Sequence, residues 1–264
     1  GCAGGPDGAA TGAASAPTAL AVVATPGDVG ASGPASAAGT AATEAVVPTA
    51  ADAGDGPAPA PAPTNVAPDV VMVDRMTMVG PESFLDGYAP RNPDGTVNAV
   101  VEIPAGTTAK WEVTDDDGNL HWDVEDGQPR MVQYLGYPLN YGMVPRTKLA
   151  ESMGGDGDPL DILVLGDALP RGTVVPVRVV AVARYTDDGE RDDKLVAVRP
   201  GTPFADVDGL PELEASFGGV VAIVDTWFLN YKGPGVFEAL GWQDAGEAMT
   251  LLDAAAAAYA EGAP

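Results

Sequence analysis

Gly154-Gly155-Asp156-Gly157-Asp158-Pro159-Leu160-Asp161 runs directly into Ile162-Leu163-Val164-Leu165. The apolar half has the length and bulk of a buried strand. Gly157 and Pro159 impose a bent, non-helical approach to it. Three carboxylates this close repel one another, so the arrangement is costly unless cations lie among them. Hard divalent ions such as Mg2+ take oxygen ligands of this kind. The plainer reading of D-G-D is an acidic, solvated turn before a strand. An EF-hand loop does not fit, because Leu160 and Asp161 stand where it needs Asp or Asn and then Gly.

Outward from this stretch, composition narrows the chemistry. A chain of 264 residues has room for one good-sized domain and a tail, or for two small domains. Its net charge of −25 argues against nucleic acid and anionic membranes as partners. An anionic substrate would need the few cations gathered in one place, or metal ions to bridge the repulsion. Cys2 is the only cysteine and His121 the only histidine, which excludes an intramolecular disulfide, cysteine zinc sites and His-rich metal centres. No stretch has about eighteen uncharged residues with the bulk to span a bilayer. Any catalysis must rest on Asp, Glu, Lys, Arg and Tyr.

Residues 1–68 are mostly Ala, Gly, Pro, Thr and Val with no Lys or Arg, and Pro57 to Pro63 alternates Pro with Ala. This predicts a disordered Ala/Gly/Pro-rich linker, leaving residues 69–264 as the folded domain. Gly1-Cys2 ahead of small residues is similar to a bacterial lipoprotein processing site, with a chance cysteine as the alternative. Acylation of Cys2 would make the linker a tether and place the domain outside the cytoplasm; the cytoplasm is the other reading.

In the remainder, Val70–Val73, residues 99–103 and Lys110–Thr114 read as strands, with Trp111 and Val113 on one face and Lys110, Glu112 and Thr114 on the other. Asp115-Asp116-Asp117-Gly118 reads as a solvated hairpin turn. Val174 to Tyr185 and Lys194 to Val198 form a later hairpin. From Pro211 to Tyr231 an apolar stripe predicts a helix weakened at Gly218-Gly219. Asp244 with Glu247 suggests a capping box for a last, Ala-rich helix. Strands followed by helices predict an α+β fold, built on an antiparallel barrel or sandwich.

More acidic residues stand near basic ones or phenols: Glu102 and Glu112 near Lys110, and Asp187 and Asp192 near Lys194. Arg130, Tyr137-Pro138-Leu139-Asn140-Tyr141-Gly142 and Tyr231-Lys232 complete the set. Singly, each reads as a surface ion pair or a core Tyr. In this order, with D-G-D-P-L-D matching the signature D-x-D-P-x-D, the set resembles the family I soluble inorganic pyrophosphatases over roughly Val100 to Trp242. The resemblance implies an OB-like antiparallel β-barrel with helices packed outside. It also implies Mg2+-dependent hydrolysis of pyrophosphate to two phosphates by a water that several metals activate. Several Mg2+ per site are implied, with Mn2+ or Zn2+ as substitutes, and assembly as a homo-oligomer. It casts Asp156, Asp161 and Asp192 as ligands of two catalytic metals, Asp161 bridging them, and Asp187 and Glu102 as holders of further Mg2+. Asp158 becomes the general base, and Glu112 supports the site from behind. Lys110, Arg130, Tyr137, Tyr141, Lys194, Tyr231 and Lys232 would clasp the phosphates, with Lys110, Arg130, Tyr141 and Lys194 taking part in catalysis.

Two departures stand out: the segment from Gly233 to Gly241 lacks a second lysine that many members carry, and the loop from Thr147 to Gly155 is long. Two rival readings are hydrolysis of a longer or organic phosphate, and a non-catalytic acidic secreted module binding Ca2+ or polyphosphate. A passive Ca2+ module has no use for Lys110, Arg130, Lys194 and Lys232 converging on its carboxylates.

Overall fold

A computed structural model of the protein describes residues 65–262. The linker expected over residues 1–68, except its last four residues, and the acylation expected at Cys2 lie outside the described residues. Among the described residues there are thirteen strands and three α-helices. The strands are β1 (Val71–Met72), β2 (Thr77–Val79), β3 (Val97–Ile103), β4 (Trp111–Val113), β5 (Leu120–Trp122), β6 (Val124–Glu125) and β7 (Gln128–Pro129). They continue with β8 (Asn140–Met143), β9 (Asp161–Val164), β10 (Val174–Asp187), β11 (Glu190–Arg191), β12 (Lys194–Val198) and β13 (Phe237–Asp244). The helices are α1 (Leu210–Ser216), α2 (Val220–Tyr231) and α3 (Ala245–Gly262).

The expected OB-like antiparallel barrel is corrected to a mixed α/β fold. The strands divide among three sheets, of four, seven and two strands. In the largest, ordered β11-β10-β12-β9-β8-β3 with β13 added on β10, β9 and β12 run parallel. Direction of pairing is a tertiary choice that neither strand's own pattern states. Nor do helices simply follow strands, because β13 returns between α2 and α3 to pair with β10.

Strand β10 organises both cores. Its register against β12 shifts between Val179 and Ala181. Val177 and Val179 pack into the core beneath α3, with Leu251, Leu252 and Ala255, while Ala181, Ala183 and Tyr185 pack into the core beneath α1 and α2, with Leu213, Trp227 and Phe228. Side chains alternate with a period of two, so one irregular residue inverts the phase and lets one strand face two helical layers. The apolar stripe from Pro211 is split at Gly219, whose φ of 92° is a left-handed turn that glycine adopts without a Cβ clash. Asp244 Oδ1 accepts from the backbone N–H of Ala245 and also from that of Leu210, each at 2.9 Å, so one carboxylate caps the starts of α3 and α1.

Candidate active site

The parallel pairing places Asp161 and Lys194 in register at the adjoining ends of β9 and β12. Lys194 is buried, and its ammonium donates to Asp161 Oδ2 and to Asp192 Oδ1, each at 2.6 Å. Tyr141, on the neighbouring β8, donates its hydroxyl to the same Asp161 oxygen at 2.7 Å. Burial lowers the Lys194 pKa, but the charges of Asp161 and Asp192 outweigh it and hold the ammonium well above its usual range. At Asp192 burial opposes ionisation, yet Lys194 overcomes it and keeps the carboxyl below its usual value. At Asp161 burial dominates and raises the carboxyl. Burial, and then the nearby Asp161 charge, raise the Tyr141 phenol, which stays a donor.

Beside this pair opens a cavity of about 450 Å³. Asp156, Asp158 and Asp161 border it, as do Glu102, Glu112, Asp187 and Asp192. Lys110, Arg130, Tyr141, Tyr231 and Lys232 border it too. Two expected residues lie behind the surface. Lys194 reaches it only through its two carboxylates, and the buried Tyr137 ring packs 4.3 Å from Trp227 and 5.2 Å from Tyr141.

The local structure explains these placements. Gly154 and Gly157 take φ of 84° and 95°, and the Gly157 and Leu149 amides bond across to Leu149 O and Asp158 O. This ties the acidic loop to the segment before it and presents Asp156 and Asp158 outward. Asp156 Oδ1 accepts the Asp158 amide at 2.9 Å. Asp158 is exposed at the cavity mouth, yet the wall that shields it from water, and then the charges of Asp156, Asp115 and Glu112, raise its carboxyl to about 6. Glu102 is buried on β3, accepts the Val113 amide at 2.7 Å, and is pushed well above the usual carboxylate range, mainly by burial. Lys110 pairs with Glu112 and Lys232 with Asp187. Arg130 Nη1 donates to Asp123 Oδ2 at 2.9 Å, and the same oxygen lies 3.8 Å from Lys110 Nζ.

Asp123 was not among the expected site residues, although it is the shared counter-ion of Lys110 and Arg130. Asp115 and Asp116, read as a solvated turn, also border the cavity, and so does Asp193. No sequence signal marks Asp123, which lies between Lys110 and Arg130, or Asp193, which gathers Arg184 from β10 and Arg191 from β11. For Asp115 and Asp116 the signal was their place three to four residues after Glu112.

Among the described residues, ten acidic and only three basic ones border the cavity, and one of the ten, Asp193, turns its side chain away into the interior. No three His, Cys, Asp or Glu side chains among the described residues close on a single point as an ion cage, and lysine ammonium groups pair with Asp161, Asp192 and Asp187. Asp187 Oδ1 is buried and has no hydrogen-bond partner. An all-oxygen donor set with an excess of charge and an orphaned carboxylate oxygen fits hard divalent cations.

The pattern of the family described as "Pyrophosphatase: Inorganic pyrophosphatase" matches residues 99–260, more than half of the chain. The chain belongs to the family I soluble inorganic pyrophosphatases. Among family relatives, the mitochondrial inorganic pyrophosphatase of Saccharomyces cerevisiae is 33% identical over 158 residues, 53% of this chain and 51% of that protein. Soluble inorganic pyrophosphatase 1, chloroplastic, of Chlamydomonas reinhardtii is 35% identical over 152 residues, 53% of this chain and 54% of that one. This family member thus spans about half the length of these relatives. In three dimensions it is similar to the type I inorganic pyrophosphatase from Toxoplasma gondii, with a TM-score of 0.68 at 26% identity, covering 73% of this chain and 97% of the other. No helix among the described residues of this pyrophosphatase-family chain is long and apolar enough to cross a membrane.

Proposed function

We propose that the protein hydrolyses inorganic pyrophosphate to two phosphates with Mg2+ as cofactor. The observation that carries this reading is the charge of the cavity: even with Asp193 set aside as paired to its arginines, nine acidic residues against three basic ones would repel a phosphate anion, unless hard cations enter with it. Asp156, Asp161 and Asp192 would hold the catalytic ions, and Glu102 and Asp187 those that accompany the substrate. Bound Mg2+ supplies Lewis acidity, acidifying water and shielding the phosphoryl oxygens.

The chain's own groups do the rest. Asp158, exposed at the mouth, accepts the proton of the attacking water as its oxygen bonds to phosphorus and the bridging P–O bond breaks. Arg130 can grip a phosphate with two N–H groups, while Lys110 and Lys232 act as point charges. These cations stabilise the charge that gathers on the departing phosphate. Tyr141 and Tyr231 offer neutral hydroxyl donors, because burial raises both phenols above the working range. Lys194 and Tyr137 sit behind that surface, so their expected clasp acts through Asp161, Asp192 and Tyr141. Glu112 holds Lys110 in place.

The test is phosphate release from pyrophosphate, triphosphate and a nucleotide, each with Mg2+ and with a chelator. Release from pyrophosphate alone, abolished by the chelator, is expected, with Mn2+ or Zn2+ giving partial replacement. Ca2+ binding without any phosphate release would overturn this reading in favour of a passive acidic module. Acylation at Cys2 and homo-oligomeric assembly belong to the same reading. Loss of membrane association in Cys2→Ala expressed from the complete gene tests the first, and sedimentation tests the second.

A further inference from the structure

Asp193 lies between Asp192 and Lys194, and its side chain is fully buried. Its Oδ2 accepts from Arg184 Nη1 at 2.6 Å, from Arg191 Nε at 3.2 Å and from Arg191 Nη2. Each arginine reaches a different part of the molecule. Arg184 donates its Nε to Gln243 Oε1 of β13 at 2.7 Å. Arg191 donates its backbone N–H to Gly154 O at 2.7 Å and bridges Gly155, at the start of the acidic loop. The contact is close enough that a Cβ on Gly154 would stand 3.1 Å from Arg191 Cγ. One buried carboxylate, through Arg191, therefore joins the segment that carries Asp192 and Lys194 to the loop that carries Asp156 and Asp158. A buried charge is tolerated only when paired, and here Oδ2 carries all of that pairing because Oδ1 has no hydrogen-bond partner, so the two arginines and the carboxylate hold one another in a fixed arrangement.

Resting on the reading of this cavity as a pyrophosphate-hydrolysing site, we propose that Asp193 is a positioning residue. With Arg184 and Arg191 it sets the spacing between the Asp156–Asp158 loop and the Asp192–Lys194 segment. Asp193 need not touch substrate. It acts through the carboxylates on either side of the clasp, which must face the same phosphate groups together. An ion pair that served stability alone would leave this spacing, and turnover in the folded protein, unchanged.

The experiment compares wild type, Asp193→Ala, Arg191→Met and the double variant of the full chain. Steady-state kinetics on pyrophosphate are read with hydrogen exchange of the amides over residues 154–158. In Asp193→Ala, kcat is expected to fall about tenfold or more, towards the roughly 100-fold cost of a 1 Å misplacement, while KM stays within about threefold. Exchange over residues 154–158 is expected to quicken about tenfold as the loop loses its anchor. The double variant should be no worse than the poorer single one, because both break the same clasp. A kcat within twofold of wild type, a loss confined to KM, or unaltered exchange over the loop overturns the proposal. Should Asp193→Ala not fold, Arg191→Met breaks the clasp at a half-exposed residue and is judged by the same criteria. If wild type releases no phosphate from pyrophosphate, the hydrolase reading falls, and the exchange measurement alone then decides the clasp.

Discussion

At Asp161 a single carboxylate oxygen accepts from both Lys194 and Tyr141, and the residue stands at the junction of two strands. Asp161→Asn keeps the shape and removes the charge. We expect at least a ~100-fold loss of phosphate release, on the scale of removing one preorganised electrostatic contact, with the fold retained by circular dichroism. Undiminished turnover would refute its central place. Asp158 gives a pH prediction. Its carboxyl is raised to about 6, and it must be ionised to accept a proton, so turnover should rise with pH through that region. Bound cations favour the ionised form and move this limb to lower pH. A pH–rate profile of Asp158→Asn should lack the limb. Most of these side chains were legible from the ordered set of acidic, basic and phenolic motifs. Asp123 and Asp193 were not, because a counter-ion is defined by what lies across from it in space.

Local patterns revealed some elements and missed others. The alternation Trp111-Glu112-Val113 is observed as buried, half-buried, buried. The weakness at Gly218-Gly219 became a true break between α1 and α2. By contrast β13, Phe237-Glu238-Ala239-Leu240-Gly241-Trp242-Gln243-Asp244, has mostly exposed side chains and no apolar alternation. It is a strand because β10 is long enough to offer it an edge. The parallel pairing of β9 and β12 was equally invisible. A close approach between β8 and β3 yields a prediction at this scale: a Cβ on Gly142 would lie 1.7 Å from Val100 O and 2.8 Å from Val100 C, both backbone atoms that cannot turn aside. Gly142→Ala should therefore destabilise by about 3 kcal/mol or more, the upper end of overpacking costs. Urea unfolding checks this, and a midpoint near that of wild type would show that the two strands can part cheaply.

For the whole molecule, composition sets residues 1–68 apart as an Ala/Gly/Pro-rich segment, and the last four of them make contacts with the folded strands and loops. Val66 bridges Arg171, Ala67 is buried, and the amides of Ala67 and Arg171 bond to Arg171 O and Asn65 O at 2.8 Å each. Composition could not reveal this, since Asn65-Val66-Ala67-Pro68 looks like the spacer it follows. Among the described residues every one that borders the cavity lies beyond this point, so removing residues 1–64 should leave turnover unchanged. Removing residues 1–68 also deletes three backbone hydrogen bonds, the third from the Val70 N–H to Ala67 O, together worth about 3 kcal/mol, and should lower Tm by about 6–12 °C. Equal melting temperatures for the two truncations would show that this contact is idle.

The in-register meeting of Lys194 with Asp161 across parallel strands has a consequence for how the protein matures. A slip of one residue along β12 would bring either a second carboxylate or the aliphatic Leu195 to face Asp161, and no neighbouring alignment offers a usable compromise. Competence should therefore be all-or-none in each molecule. During refolding, the first detectable turnover should coincide with β12 pairing in register with β9, not with the earlier collapse of the chain.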